Sequence, residues 1–182
     1  DGCHRGHQAV FAQALRLARE TGVPALALTF EPHPRVVFRP DLALFRITPA
    51  PMRARLLEAL GFRAVVEQPF SRDFAGLTAE TFVRQMLVDD LGISHAVTGF
   101  DFHFGRNRQG GPAYLMEAGK RLGFGVSLVD AFRDESAEVV SSSRIRDLLA
   151  AGETAEAAGL LGYRFTVGAE VTHGRKLGRE LG

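Results

Sequence analysis

The 182 residues, 46% hydrophobic and 24% charged, suffice for one globular core and leave no room for a second complete domain. With 22 Lys and Arg against 21 Asp and Glu, the formal charge of +1 leaves no electrostatic footprint for nucleic acid or an anionic membrane, so the expected partner is a small molecule. The single cysteine, Cys3, excludes an intrachain disulfide framework and suits a reducing, cytoplasmic setting, and no apolar run reaches the roughly 18 residues that cross a bilayer.

Val10, Phe11, Ala14, Leu17 and Ala18 recur at helical spacing and predict a helix over 6–21, stopped by Gly22 and Pro24. The nearly continuous apolar run 24–30 predicts a strand covered on both faces. The alternation then repeats. Thr48 is a candidate cap for a helix over 51–60, with Gly61 as its stop and 64–67 as the next strand. Thr78 is a candidate cap for a helix carrying Phe82, Val83, Met86 and Leu87 on one face, with Gly92 as its end and 96–100 as strand. A helix over 113–121, a strand over 126–129 and helices over 141–151 and 154–161 complete the series. Strands alternating with helices of this length imply an α/β fold, a Rossmann-like doubly wound parallel sheet. From Phe165 to Thr172 the pattern becomes alternating, as at the start of a following β-rich domain.

Four segments carry chemistry. His4-Arg5-Gly6-His7 opens the first helix, where two histidines three apart share a face, free N–H groups point outward and Gly6 permits close approach of a phosphate. The plainer reading is two surface histidines. Ser141-Ser142-Ser143-Arg144-Ile145-Arg146 places three hydroxyls at another helix start with Arg146 one turn inside, a set suited to phosphate oxygens and to charge on a transferring phosphoryl group. Taken alone, it reads better as a serine cap followed by a solvated arginine. Thr29-Phe30-Glu31-Pro32-His33-Pro34 and Gly99-Phe100-Asp101-Phe102-His103-Phe104-Gly105 leave the ends of two strands, where ligands bind in such sheets, and bring aromatic rings that can stack on a planar ligand or pin their loops to the core. No phosphate loop of the Gly-x-x-x-x-Gly-Lys-Ser/Thr type and no Gly-x-Gly-x-x-Gly turn occurs, which disfavours kinase-type ATPases and dinucleotide-dependent dehydrogenases. Nothing supplies a protein ligand set for zinc at a diagnostic spacing, and no metal-binding residue is assigned.

Together, Asp1-Gly2-x-His4-x-Gly6-His7, Thr29-Phe30-x-Pro32-His33-Pro34, Gly99-x-Asp101-Phe102-x-Phe104-Gly105 and Ser141-Ser142-Ser143-x-Ile145-Arg146 resemble, in order, the motifs of the bacterial bifunctional riboflavin kinase/FAD synthetases. The resemblance implies that residues 1–162 form an FMN adenylyltransferase domain lacking its first strand. It implies that 163–182 begin a truncated riboflavin kinase domain, whose activity would belong only to a longer parent protein. It implies transfer of AMP from ATP, with Mg²⁺, to FMN, giving FAD and pyrophosphate. His4, His7 and Arg146 would be catalytic, and Gly6, Ser141, Ser142, Ser143 and Asp101 would bind the nucleotide. Phe30, Pro32, Pro34, Phe102 and Phe104 would contact the flavin. The competing expectations are an adenylyltransferase acting on pantetheine phosphate or nicotinamide mononucleotide, and a flavin- or nucleotide-binding module without turnover.

Overall fold

A computed structural model describes residues 1–41 and 44–171. Helix α1 (Arg5–Thr21) starts at His4, whose imidazole accepts the His7 N–H, and stops at Gly22, whose left-handed backbone (φ 72°) returns its N–H to the Ala18 carbonyl. Strand β1 (Leu26–Glu31) follows, then the short helix α2 (Pro34–Phe38), so the proline-rich segment turns at once into a helix capped by His33. Helix α3 (Ala50–Leu60) and strand β2 (Ala64–Pro69) come next. Thr48 does not cap α3 as the sequence predicts, because its hydroxyl, wholly buried, is engaged with Gly2 and Asp1, and Pro49 stands at the cap without a side-chain hydrogen bond.

After the single turns α4 (Arg72–Ala75) and α5 (Ala79–Thr81), the chain continues from Phe82 to Asp90 as a π-helix rather than an α-helix. Thr78 does cap this unit, accepting the Thr81 N–H at 3.0 Å. The predicted apolar face survives the change of winding, since Phe82, Val83, Met86 and Leu87 are all buried. Pairs spaced four apart remain nearly aligned when the hydrogen bonds lengthen by one residue. Strand β3 (His95–Gly99), helix α6 (Pro112–Leu122), strand β4 (Gly125–Val129) and helices α7 (Ser142–Ala151) and α8 (Thr154–Leu161) complete the order.

The strands are parallel, as expected, but they form two pairs and not one sheet: β1 with β2 in the register Leu26 to Ala64, and β3 with β4 in the register His95 to Gly125. The free edges of β1 and β3 line one cavity of about 870 Å³, with no strand between them among the described residues. Helix α1 packs on β3 and β4, while α6 packs on β4 and on the π-helix. Three apolar clusters hold the halves. One surrounds Phe82, Phe104, Leu115 and Phe124, a second joins Ile47, Val140 and Ile145 to α8, and a third packs Leu57 and Phe62 beneath Phe11.

The alternating segment after α8 forms no strand over 164–171, although Phe165 lies edge-on to Phe45 at 5.9 Å. The predicted continuation through Thr172 and His173 to Gly182 lies outside the described residues.

Candidate active site

The two helix starts that the sequence singles out meet at one place. The Val140 carbonyl lies so close to Gly6 that a β-carbon there would stand 3.4 Å from it and 3.1 Å from the His4 ring. Ser142 Oγ donates to the Asp1 carbonyl at 2.7 Å, and Arg146 Nη2 donates to Asp1 Oδ2 at 2.6 Å. The hairpin between β4 and α7, closed by the bridge between Arg133 and Val139, carries Val140 and Ser141 into position. Its flanks are tied down on both sides: Arg5 lies 4.8 Å over the Phe132 ring and pairs with Glu135, and Arg144 pairs with Asp134. Asp134 in turn accepts the N–H groups of Ser136 and Glu138, which shapes the turn.

Within this junction the His4 and His7 rings lie 3.8 Å apart. His4 Nδ1 is committed as the acceptor of the His7 N–H, at 3.4 Å, so its ring proton belongs on Nε2, where it can be donated to an anion. His7 Nδ1 is buried without a hydrogen-bond partner, an arrangement that invites a ligand or water. Burial pushes the His4 pKa down to about 4. Burial, then His4, pushes His7 still lower. Both imidazoles are therefore neutral donors at pH 7 in the free protein, and an arriving polyphosphate raises both.

These shifts fix a stability profile. A histidine whose folded pKa lies below its unfolded value near 6.5 leaves the unfolded chain binding more protons as pH falls, so stability drops from about pH 7 downward until the folded pKa is reached. At pH 5.5 the cost is about 1.4 kcal/mol for each such histidine. His33, lowered to about 4 by burial and then by nearby arginines, adds a partly solvent-screened share in the same direction. Urea titrations at pH 7.5 and 5.5 are therefore expected to differ by about 3 to 4 kcal/mol, and a His4→Asn, His7→Asn double variant to retain only the His33 share. Equal pH slopes in the two proteins would contradict the burial of neutral rings.

His4, Gly6, His7, Phe30, Pro34, Asp101, Phe102, Ser141 and Ser142 all line the 870 Å³ cavity. The remaining expected site residues do not. Arg146 stands behind Asp1, its side chain 14% exposed, with Nε donating to the Phe45 carbonyl and Nη1 to that of Ser142. Ser143 points to solvent, since only Ser141 stands at the cap, where it accepts the Arg144 N–H. Pro32 is exposed beside His33. Phe104 is a core residue, 7% exposed, packed 5.1 Å from Phe82 and stacked 5.3 Å from Phe102, so it supports the loop from beneath and does not face the cavity.

Sequence reasoning missed a charged layer on the cavity wall. Arg46 pairs with both oxygens of Glu31 at 2.9 and 3.1 Å and lies 3.7 Å from Asp1. Arg53, 6% exposed, pairs with Glu67 at 3.0 Å and Glu31 at 3.4 Å. Arg46 Nε and Arg53 Nε are buried without a hydrogen bond among the described residues, Arg46 Nε being the atom 3.7 Å from Asp1 Oδ1. Only Arg53, sitting one helical turn past Thr48-Pro49, offered a signal in the sequence.

A family model described as FAD synthetase matches residues 1–144. The chain belongs to the FAD synthetase family. Among curated relatives it is similar to the bifunctional riboflavin kinase/FMN adenylyltransferases of Pseudomonas fluorescens, at 40% identity, Escherichia coli K12, at 35%, and Listeria monocytogenes, at 36%. Each alignment covers 100% of this chain and 57 to 58% of the relative, so the chain spans less than two thirds of the length of the proteins it matches. A solved structure described as a macrolide-efflux protein from Streptococcus pneumoniae shares the fold with a TM-score of 0.87 at 32% identity, over 100% of this chain and 58% of that one. Efflux is the description of that protein; among the described residues here, no helix is long and apolar enough to cross a membrane.

Proposed function

We propose that this FAD synthetase family chain is an FMN adenylyltransferase, transferring AMP from ATP to the FMN phosphate with release of pyrophosphate. The observation that carries the reading is the convergence of the two helix starts, through Gly6 against Val140 and Ser142 on Asp1, beside a cavity flanked by Phe30 and Phe102. Two N-terminal helix ends aimed into one space favour a polyanion, and two aromatic rings near it favour a flat ring system. The nucleophile is already an anion, so the protein's work is alignment and the neutralisation of charge that builds on the α-phosphate and the departing pyrophosphate.

In this reading the FMN phosphate oxygen attacks the α-phosphorus in line and the bond to the pyrophosphate oxygen breaks, without a covalent enzyme intermediate. His4, through its Nε2 proton, and His7 donate to the polyphosphate. The N–H groups at the start of α1 and α7, with Gly6, Ser141 and Ser142, bind it, and Asp101 contacts the nucleotide. Arg146 supplies fixed positive charge. Phe30, Pro34 and Phe102 hold the flavin; Pro32, Phe104 and Ser143 keep only supporting roles. Mg²⁺ would enter as the companion of ATP, since a magnesium ion is suited to phosphate oxygens. The boundary we favour ends this domain at 162, just after α8, with 163–182 opening the riboflavin kinase part of a longer protein.

Incubating the chain with ATP, FMN and Mg²⁺, followed by chromatography, tests the proposal. FAD and pyrophosphate are expected in equal amounts. FMN recovered bound but unchanged would make the chain a binding module, and turnover of pantetheine phosphate or nicotinamide mononucleotide in place of FMN would reassign the acceptor.

A further inference from the structure

The buried Asp1 carboxylate accepts four hydrogen bonds, and neither a phosphate-binding nor a flavin-binding role accounts for it. Its side chain is 1% exposed. Oδ1 accepts from Thr48 N at 3.0 Å and Thr48 Oγ1 at 3.2 Å, and Oδ2 accepts from Ile47 N at 3.0 Å and Arg146 Nη2 at 2.6 Å. The same residue's carbonyl accepts from Ser142 Oγ. Three segments distant in sequence, the turn before α1, the stretch 45–48 and the first turns of α7, therefore join at one buried acid.

The guanidinium of Arg146 is pinned at three corners, by the carbonyls of Phe45 and Ser142 and by Asp1. Asp1 is the only anion of the three. Burial and the nearby cations Arg35 and Arg46 weigh against the protonated state of Arg146 and Asp147 opposes them, while the 2.6 Å hydrogen bond to Asp1 fixes the plane of the fork. The pair fills one edge of the guanidinium and leaves a free N–H on each of Nη1 and Nη2.

We propose that Asp1 is a positioning residue for adenylyl transfer: its buried carboxylate holds Arg146 in the orientation from which the guanidinium meets the polyphosphate, and couples that orientation to the His4–His7 turn. The assignment rests on the adenylyltransferase reading. Arg146 does not line the cavity in the free protein, so its two free N–H groups must reach the polyphosphate from behind Asp1, and Asp1 acts only through it.

The experiment is a double-mutant cycle of Asp1→Asn and Arg146→Ala, scored by kcat, by KM for ATP and FMN, and by the side-chain N–H signals of Arg146 in nitrogen-15 NMR. Asparagine keeps an oxygen to accept from Thr48 and replaces Oδ2, which accepts from both the Ile47 N–H and Arg146, with a donor, so the Thr48 bonds remain while the Ile47 N–H and the guanidinium are released. An Ile47→Pro variant, which of these bonds removes only that of Ile47, is expected to leave the Arg146 signals unchanged. Asp1→Asn is expected to lower kcat by about 10- to 100-fold, as for a lost hydrogen bond to a charged group, with KM for FMN unchanged. In the Arg146→Ala background the same substitution is expected to cost less than about 2-fold, because the two act as one unit. The Arg146 N–H signals, slow to exchange in the wild type, are expected to broaden in Asp1→Asn. Additive losses of kcat, or unchanged Arg146 signals in Asp1→Asn, would overturn the proposal and leave Asp1 a structural acid. A wild-type chain that binds ATP but forms no FAD would sink the functional reading instead, and the NMR signals would still report whether Asp1 orders Arg146.

Discussion

Replacing His7 by alanine is expected to lower FAD formation by about 10²- to 10³-fold while FMN affinity moves by less than about 2-fold. The asymmetry follows from position. His7 lies in the first turn of α1, against His4, with an unpartnered buried nitrogen, whereas the aromatic rings assigned to the flavin leave the ends of other strands. A donor that meets charge only as pyrophosphate departs contributes to the transition state and little to ground-state binding of the acceptor, so kcat falls and FMN titration, followed by fluorescence quenching, does not. Because burial keeps the ring neutral, a His7→Gln variant, which retains an N–H donor, is expected to recover part of the loss. Near-wild-type turnover by His7→Ala would remove His7 from the mechanism.

The second large effect is on stability. Ile145 is fully buried among Ile47, Val140, Ala157, Leu160 and Leu161, directly before Arg146 and beneath the segment that Asp1 holds. Truncating it to alanine is expected to cost about 3 kcal/mol, within the range for a buried Ile to Ala change, as transfer free energy is lost and a cavity remains. Urea unfolding should show a lower midpoint with an unchanged slope. At low temperature the folded fraction should keep most of its turnover, since no atom of Ile145 reaches the cavity. A loss below about 1 kcal/mol would mean that the second cluster is not packed as a core.

These two residues also mark how far the sequence could be read. Apolar spacing located α1, α6, α7 and α8 to within a residue or two, because each ends at a glycine, and α1 and α7 open on a capping side chain and α6 on Pro112, signals that the chain advertises locally. The same spacing could not distinguish α from π winding over 82–90, since both keep the buried quartet on one face. Thr48 misled for a different reason. A threonine before a helix carries a strong local preference, and here a tertiary demand, the buried pairing with Asp1 and Gly2, outcompeted it. The pairing of strands into two separate ladders was equally invisible, because apolar runs mark strands without naming their neighbours.

At the site, the histidines and serines were legible because helix starts that bind anions have a short-range signature. Phe104 was not, because an aromatic ring in a loop looks the same whether it turns outward or, as here, into Phe82 and Tyr114. The pairs Arg46 with Glu31, Arg53 with Glu67 and Arg146 with Asp1 are separated by 15, 14 and 145 positions, distances at which charge pattern along a chain carries no register.

The division into two strand pairs has a bearing on acceptor choice. One bank of the cavity, ending in Phe30 and Glu31, belongs to the first pair, and the other, leading into Asp101 and Phe102, belongs to the second. Val10 and Phe11 of α1 line the same cavity between those banks, and Phe11 packs on Ala27, Leu57 and Phe62 on the side of the first. Side chains of that helix face therefore stand where a ring system would lie, and their bulk bears on whether a wide or a narrow acceptor is admitted.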